Sequence, residues 1–127
     1  MALSAGWNCL AVPLAGIRPE ALKLQSPKDF SFWGHRECVS GCLEPGKGYW
    51  GWRETPYEGC VSGWWLDPRP VAVETGWQML GTTAAHSLPS DAYRVENGVF
   101  QFLPAGTKVP AGTVYWRHCE EAEWVVP

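Results

Sequence analysis

Long apolar runs are missing from this chain: nothing in its 127 residues approaches the roughly 18 consecutive apolar positions that a membrane helix requires. Membrane insertion is therefore not expected. Positive charge is also in short supply, with 10 Lys and Arg against 13 Asp and Glu and a formal net charge of −3. That leaves no basic field for a phosphate backbone, and nucleic acid is not an expected partner. Residues 1–5 have no basic region and lead into no long apolar segment, so no signal peptide is expected within the chain. Helix signals are scarce. Residues 17–25 offer the only one, with Pro19 suited to a first turn, Glu20 to the positive end of the dipole, and Pro27 closing a helix of one or two turns.

Catalytic signatures are absent as well. The chain has no Gly-x-Ser-x-Gly, no phosphate-cradling glycine loop and no His-Glu-x-x-His, and no cofactor is implied. Lys47 lies between two glycines, but Pro45-Gly46-Lys47-Gly48 lacks the Walker spacing and reads as a turn with a solvated lysine. The five cysteines are an odd number and cannot all pair internally. His35, Cys38 and Cys42 are of the types that ligate zinc, but tight ligand pairs are lacking, so no metal site is expected. Small buried thiols or a Cys38–Cys42 disulfide account for them better. Cys119 beside His118 is adjacency only, because neighbours on a strand point to opposite faces.

Glycine (14) and proline (11) are plentiful, and there are nine tryptophans. The first two favour many short strands joined by specified turns, and the indoles supply a large apolar area. Residues 43–52 run through Pro45-Gly46 into Tyr49-Trp50, and residues 109–118 run through Pro110-Ala111-Gly112 into Tyr115-Trp116. Upstream of them, Gly76-Trp77-Gln78-Met79-Leu80 matches Gly6-Trp7-Asn8-Cys9-Leu10. The separations are similar, 43 positions from Gly6 to Tyr49 and 39 from Gly76 to Tyr115. Between each pair lies a hairpin signal: residues 29–39 in the first half, and residues 92–102 around Asn97-Gly98 in the second.

This order of signals indicates an internal duplication. The expected architecture is one all-β domain over 1–127, built from a first repeat (1–66), a linker (67–70, where Pro68 and Pro70 favour extended backbone) and a second repeat (71–127). About eight to ten short strands would form a pseudo-twofold β-sandwich or small barrel in which the two halves cover each other, with at most one short helix.

The combination of Gly6-Trp7-Asn8 and Val12-Pro13 with Pro45-Gly46-Lys47-Gly48-Tyr49-Trp50 resembles the Gly-Trp-Asn / Pro-Gly-Lys-Gly-Tyr-Trp β-modules. These recur as appended or tandem units in bacterial and archaeal secreted and cell-surface proteins. The first half carries the resemblance well and the second loosely, since Gln78, Thr82-Thr83 and Thr113-Val114 depart from the pattern. The resemblance implies a β-fold and an accessory, extracellular or cell-surface role without catalytic residues. A cytoplasmic location is the alternative.

At the matching repeat positions, Trp7, Trp50, Trp77 and Trp116 are expected to form a symmetric aromatic core. The candidate ligand-binding residues are Tyr49, Trp52, Arg53, Trp64 and Trp65, because strand-borne indoles offer flat platforms for the C–H faces of sugars. The expected function is a non-catalytic module for binding or assembly, with a polysaccharide or another protein domain as partner. Two alternatives stand beside it: a small hydrolase using Cys119 and His118 or carboxylates such as Glu44, Glu54, Glu58, Asp91 or Glu120, and an intracellular protein that self-assembles through an apolar face.

Overall fold

The computed structural model describes residues 2–23, 30–31, 42–65, 67, 69–96 and 99–127. Turn-forming residues interrupt the backbone so often that the strands stay short, and the architecture is all-β. β1 (Ala2–Leu3), β2 (Gly6–Leu10), β3 (Leu14–Ala15), β4 (Phe30–Ser31), β5 (Tyr49–Arg53), β6 (Tyr57–Glu58) and β7 (Trp64–Trp65) lie in the first half. β8 (Val71–Val73), β9 (Gly76–Gly81), β10 (His86–Ser87), β11 (Ala92–Glu96), β12 (Val99–Leu103), β13 (Lys108–Val109), β14 (Val114–Cys119) and β15 (Glu123–Val125) lie in the second.

The fifteen strands among the described residues exceed the expected eight to ten because the turns cut longer segments into two-residue pieces. Residues 59–65, for example, contribute only β7. The helix expected over 17–25 is a single 3-10 turn, Pro19–Leu22, which ends at Lys23 with a left-handed φ of 53°. Of the hairpin expected at 29–39, only β4 falls among the described residues, and Asn97-Gly98 lies outside them. Membrane spanning by a helix has no candidate among the described residues.

The sheets are small, ordered β1-β6, β2-β5-β4 and β3-β7 in the first half and β15-β8, β12-β11-β14-β9 and β10-β13 in the second. Among the described residues none closes into a barrel, because strands this short cannot supply a consistent tilt and stagger around a ring. Two registers coincide. In β2 and β5 the pairs are Gly6↔Arg53, Trp7↔Trp52, Asn8↔Gly51, Cys9↔Trp50 and Leu10↔Tyr49. In β9 and β14 the same motif positions pair as Gly76↔Cys119, Trp77↔His118, Gln78↔Arg117, Met79↔Trp116 and Leu80↔Tyr115. The outer pairs follow suit, Ala2↔Glu58 and Leu3↔Tyr57 against Ala72↔Trp124 and Val73↔Glu123.

The motif residues explain this frame. Gly6 and Gly76 have φ of 93° and 102°, and an added Cβ would meet nothing within 4 Å at either, so glycine is required there for its backbone angle alone. Asn8 closes the turn before β2: its Oδ1 accepts the Ser4 N–H at 2.9 Å and its Nδ2 donates to the Ser4 carbonyl at 2.9 Å. The Pro-Gly corners place Gly46 at φ 94° and Gly112 at φ 82°. In the first corner, the buried Tyr49 hydroxyl accepts the Glu44 N–H at 3.0 Å. In the second, Thr82 takes over the tie, donating from Oγ1 to the Pro110 carbonyl at 2.7 Å and accepting the Thr113 N–H at 2.9 Å.

Each half buries its own apolar cluster, which departs from the expectation of two halves covering one core. Leu3, Leu10, Val12, Ile17, Leu22, Leu43 and Tyr49 form the first. Val73, Leu80, Leu88, Ala92, Leu103, Val109, Tyr115 and Cys119 form the second. Residues outside the main sheets complete both clusters, Val12, Ile17, Leu22 and Leu43 in the first half and Val73, Leu88 and Val109 in the second, so each half covers that face from its own sequence. The halves meet along the free edge of β9, where the Gly81 N–H donates to the Gly46 carbonyl at 3.0 Å and the Gly48 N–H to the Met79 carbonyl at 3.3 Å. Beside this seam the Trp50 and Trp116 rings pack with centroids 6.3 Å apart.

Candidate functional site

Alternation along a strand sends one set of side chains into each half's core and the other set outward. Leu10, Tyr49 and Arg53 point inward in the first half. Tyr49 is 1% exposed and Arg53 6%, so neither is available to a ligand. Arg53 instead caps the 3-10 turn: Nη1 donates to the Leu22 carbonyl at 2.6 Å and to the Lys23 carbonyl at 2.8 Å, and Nε donates to the Thr55 carbonyl at 2.9 Å. Lys47 pairs with Glu44 at 2.5 Å. Of the other candidates, Trp52 is half-buried, with its ring edge-to-face with Trp7 at 5.4 Å, while Trp64 and Trp65 stand exposed on β7. The structure does not bring these five residues together as one site. The Trp64 ring lies over Gly16, where an added Cβ would come within 2.6 Å of it.

The expected four-indole core is also corrected. Trp116 is buried and Trp50 partly so, but Trp7 is 57% exposed and Trp77 44%. Among the described residues, Trp50 and Trp116 cover the outward faces of the main sheets near the seam, while Trp7 and Trp77 stand exposed towards the far ends. Matching position in the sequence motifs therefore does not mean matching burial.

On the second half that bare end becomes a site. The outward face of the β12-β11-β14-β9 sheet carries Phe100 and Phe102 from β12, Tyr93 from β11, Trp116 and His118 from β14, and Trp77 from β9. Register brings them into contact, since Tyr93 pairs with both Phe102 and Trp116, and His118 pairs with Trp77. The rings of Trp77 and His118 meet edge-to-face at 5.2 Å, those of Trp77 and Tyr93 at 5.8 Å, and those of Tyr93 and Phe102 at 5.4 Å. Trp50 reaches in from the first half. Trp50, Trp77, Tyr93, Phe100 and Trp116 line an open groove of about 470 Å³.

Trp77 and Tyr93 also form a wall of a second cleft, of about 440 Å³. Its character is polar and acidic: Asp91, Glu120, Glu121 and Glu123 face it together with Arg117 and His118. Arg117 donates to Glu123 at 3.0 Å, and Asp91 accepts the Ala105 N–H at 2.9 Å. The Ser90 Oγ in the same wall is buried without a hydrogen-bond partner among the described residues. The combined surface offers rings for an apolar face and, beside them, acceptors for hydroxyl or ammonium protons.

Cys119 is part of the second core, and burial pushes its thiol above the ordinary range, while His118 lies on the opposite face against Trp77. Burial likewise pushes the Cys9 thiol up to about 12 and the Tyr115 hydroxyl up to about 12. His35 and Cys38 fall outside the described residues, and among the described residues no group of three or more His, Cys, Asp or Glu side chains is placed to hold a metal.

Comparison with protein-family models, with curated proteins and with solved structures yields no match to this chain. The groove is therefore read from its own chemistry. Sequence reading missed Tyr93 and Phe100 as site residues and named His118 only for a hydrolase, although part of the signal was present: Tyr93 and Phe100 stand on either side of the Asn-Gly signal in alternating aromatic stretches.

Proposed function

We propose that this chain is a non-catalytic accessory β-module that binds carbohydrate on the aromatic face of its second half, in the setting of a secreted or cell-surface protein. The observation that carries the reading is the junction of an all-aromatic groove with a polar cleft across a shared wall of Trp77 and Tyr93. A sugar ring has the same two-sided character, with C–H faces that pack on indole and hydroxyls that need acceptors. The resemblance to the surface-protein modules supports the accessory role.

The test is calorimetric titration with soluble oligosaccharides. Trp77→Ala is expected to weaken binding at least tenfold, and Trp7→Ala, at the matching position of the first half, to leave it unchanged. Loss of binding in Trp64→Ala rather than Trp77→Ala would move the site to β7, and no binding of any glycan would sink the reading.

We read the paired registers and the positive-φ glycines at matching positions as signs that the halves arose by duplication of one unit. The contact of Trp50 with Trp116 across the seam supports an open, sandwich-like pseudo-twofold arrangement. A hydrolase reading has one observation in its favour, since Asp91 and Glu120 line the same cleft. Release of reducing ends from a bound oligosaccharide, lost in Glu120→Gln, would establish it over the binding role.

A further inference from the structure

The groove and the cleft differ in a way that narrows the ligand. Among the described residues, the five side chains lining the groove are all aromatic, so they present ring faces, which carry negative electrostatic potential, and no hydrogen-bonding group of high polarity. Ring faces of this kind attract cations more strongly than neutral groups. The adjoining cleft strengthens the same preference. Among the described residues, four carboxylates, Asp91, Glu120, Glu121 and Glu123, face it against a single guanidinium, and Arg117 is already committed to Glu123. Among the described residues Glu120 and Glu121 have no ion-pair partner, and the buried Ser90 Oγ is a further unpaired acceptor. Trp77 and Tyr93 belong to both spaces, so a ligand lying on them has its apolar face on the rings and its substituents within reach of the acids.

We propose that this surface selects cationic amino sugars, glucosamine-type units with a free protonated amine, over neutral sugars. The inference rests on the carbohydrate reading and adds the sign of the charge. The pyranose face packs on Trp77 and Tyr93, and the ammonium group is held between the ring faces and the carboxylates of Glu120 and Glu121. An N-acetyl group at the same position has lost the positive charge, and with it both the cation–ring attraction and the ion pair. A small quaternary ammonium ion would satisfy the rings but would leave the length of the combined trench unused.

The test compares four probes by calorimetry on the full chain at about pH 6, where carboxylates are ionised and sugar amines protonated. The probes are a glucosamine hexamer, an N-acetylglucosamine hexamer, a cellulose hexamer and a lysine hexapeptide. The glucosamine hexamer is expected to bind at least tenfold more tightly than either neutral hexamer, with an advantage that shrinks as salt is added. The lysine hexapeptide is expected to bind at least tenfold more weakly than the glucosamine hexamer. In the double variant Glu120→Gln/Glu121→Gln the ratio between charged and neutral hexamers should fall towards one. Equal binding of all three sugars would overturn the charge preference and leave the carbohydrate reading standing. Equal binding of the peptide would overturn the sugar requirement, and silence from every sugar would overturn both readings.

Discussion

The two halves hold the same aromatic pair in the same register and use it differently. Trp7 stacks edge-to-face on Trp52 in the first half, and Trp77 stacks edge-to-face on His118 in the second. In the first half the pair has only a short stretch of described strand beside it, β4. In the second, β11 and β12 continue the surface and add Tyr93, Phe100 and Phe102, turning an exposed pair into a groove. The strand pair therefore supplies a frame, and its neighbours decide what the frame can bind. A similar division applies on the inward face, where Arg53 and Cys119 occupy matching places. One ties down a turn by donating hydrogen bonds, and the other fills apolar space.

Four substitutions or conditions would break or sharpen this comparison. The largest effect is expected at Arg53. Arg53→Cys copies the second half into the first and leaves the Leu22, Lys23 and Thr55 carbonyls without their donor. Urea denaturation should show a loss of about 3 kcal/mol, roughly one per hydrogen bond. A loss below about 1 kcal/mol would mean that water replaces the guanidinium and that the cap is dispensable.

Gly81→Ala comes next. Its Cβ would meet the Ala11 Cβ at 2.4 Å and the Lys47 carbonyl oxygen at 2.7 Å, so the seam must open. About 2 kcal/mol of destabilisation is expected. Adding Ala11→Gly should restore part of it, because the clash with the carbonyl remains.

Alkaline pH distinguishes Cys9 from Met79, which share a place in the two registers. Below pH 9 a thiol is neutral in both folded and unfolded chains and stability is flat. Between pH 9 and about 12 the unfolded chain loses the Cys9 proton while the folded chain retains it, so stability falls with rising pH. Each such group contributes about 1.4 kcal/mol per pH unit, and Tyr115 adds to the decline from about pH 10. Cys9→Ala should reduce the slope just above pH 9 to the part that the buried Cys119 thiol contributes, whatever it does to baseline stability; an unchanged slope would place the Cys9 thiol in contact with water.

The smallest effect is expected at the two glycines with positive φ. Gly6→Ala and Gly76→Ala meet no steric obstacle, so each should cost only the left-handed backbone penalty, about 1 kcal/mol. Matched losses would support equivalence of the two frames, and a twofold difference would argue against it.

Much of this frame was legible in the sequence. Gly-Trp and Pro-Gly at fixed separations give the turn positions, and alternation gives the two faces of each strand. Alternation does not say which face is covered, and there the reading failed. Tyr49 and Arg53 are ligand-binding candidates by their closeness in sequence to Trp50 and Trp52, yet both find backbone partners inside. Trp7 and Trp77 are expected inward because they stand at matching positions, yet among the described residues nothing buries them at the far end of their sheet faces. The groove was unreadable for a related reason: it combines β9, β11, β12 and β14 with Trp50 from the other half, and only pairing in space gives that combination.

The contact between Gly81 and Ala11 has one more consequence. These residues each follow the leucine of their motif, Leu10 and Leu80, and face each other across the seam, where a second methyl group would lie 2.4 Å from the first. A dimer of identical subunits must put the same residue on both sides of such a point, and would have either two colliding methyls or a gap. A single continuous chain has no such obligation, and here it uses alanine on one side and glycine on the other. Covalent linkage thus permits an asymmetric fit at the seam, and with it the freedom for one aromatic face to specialise while the other does not.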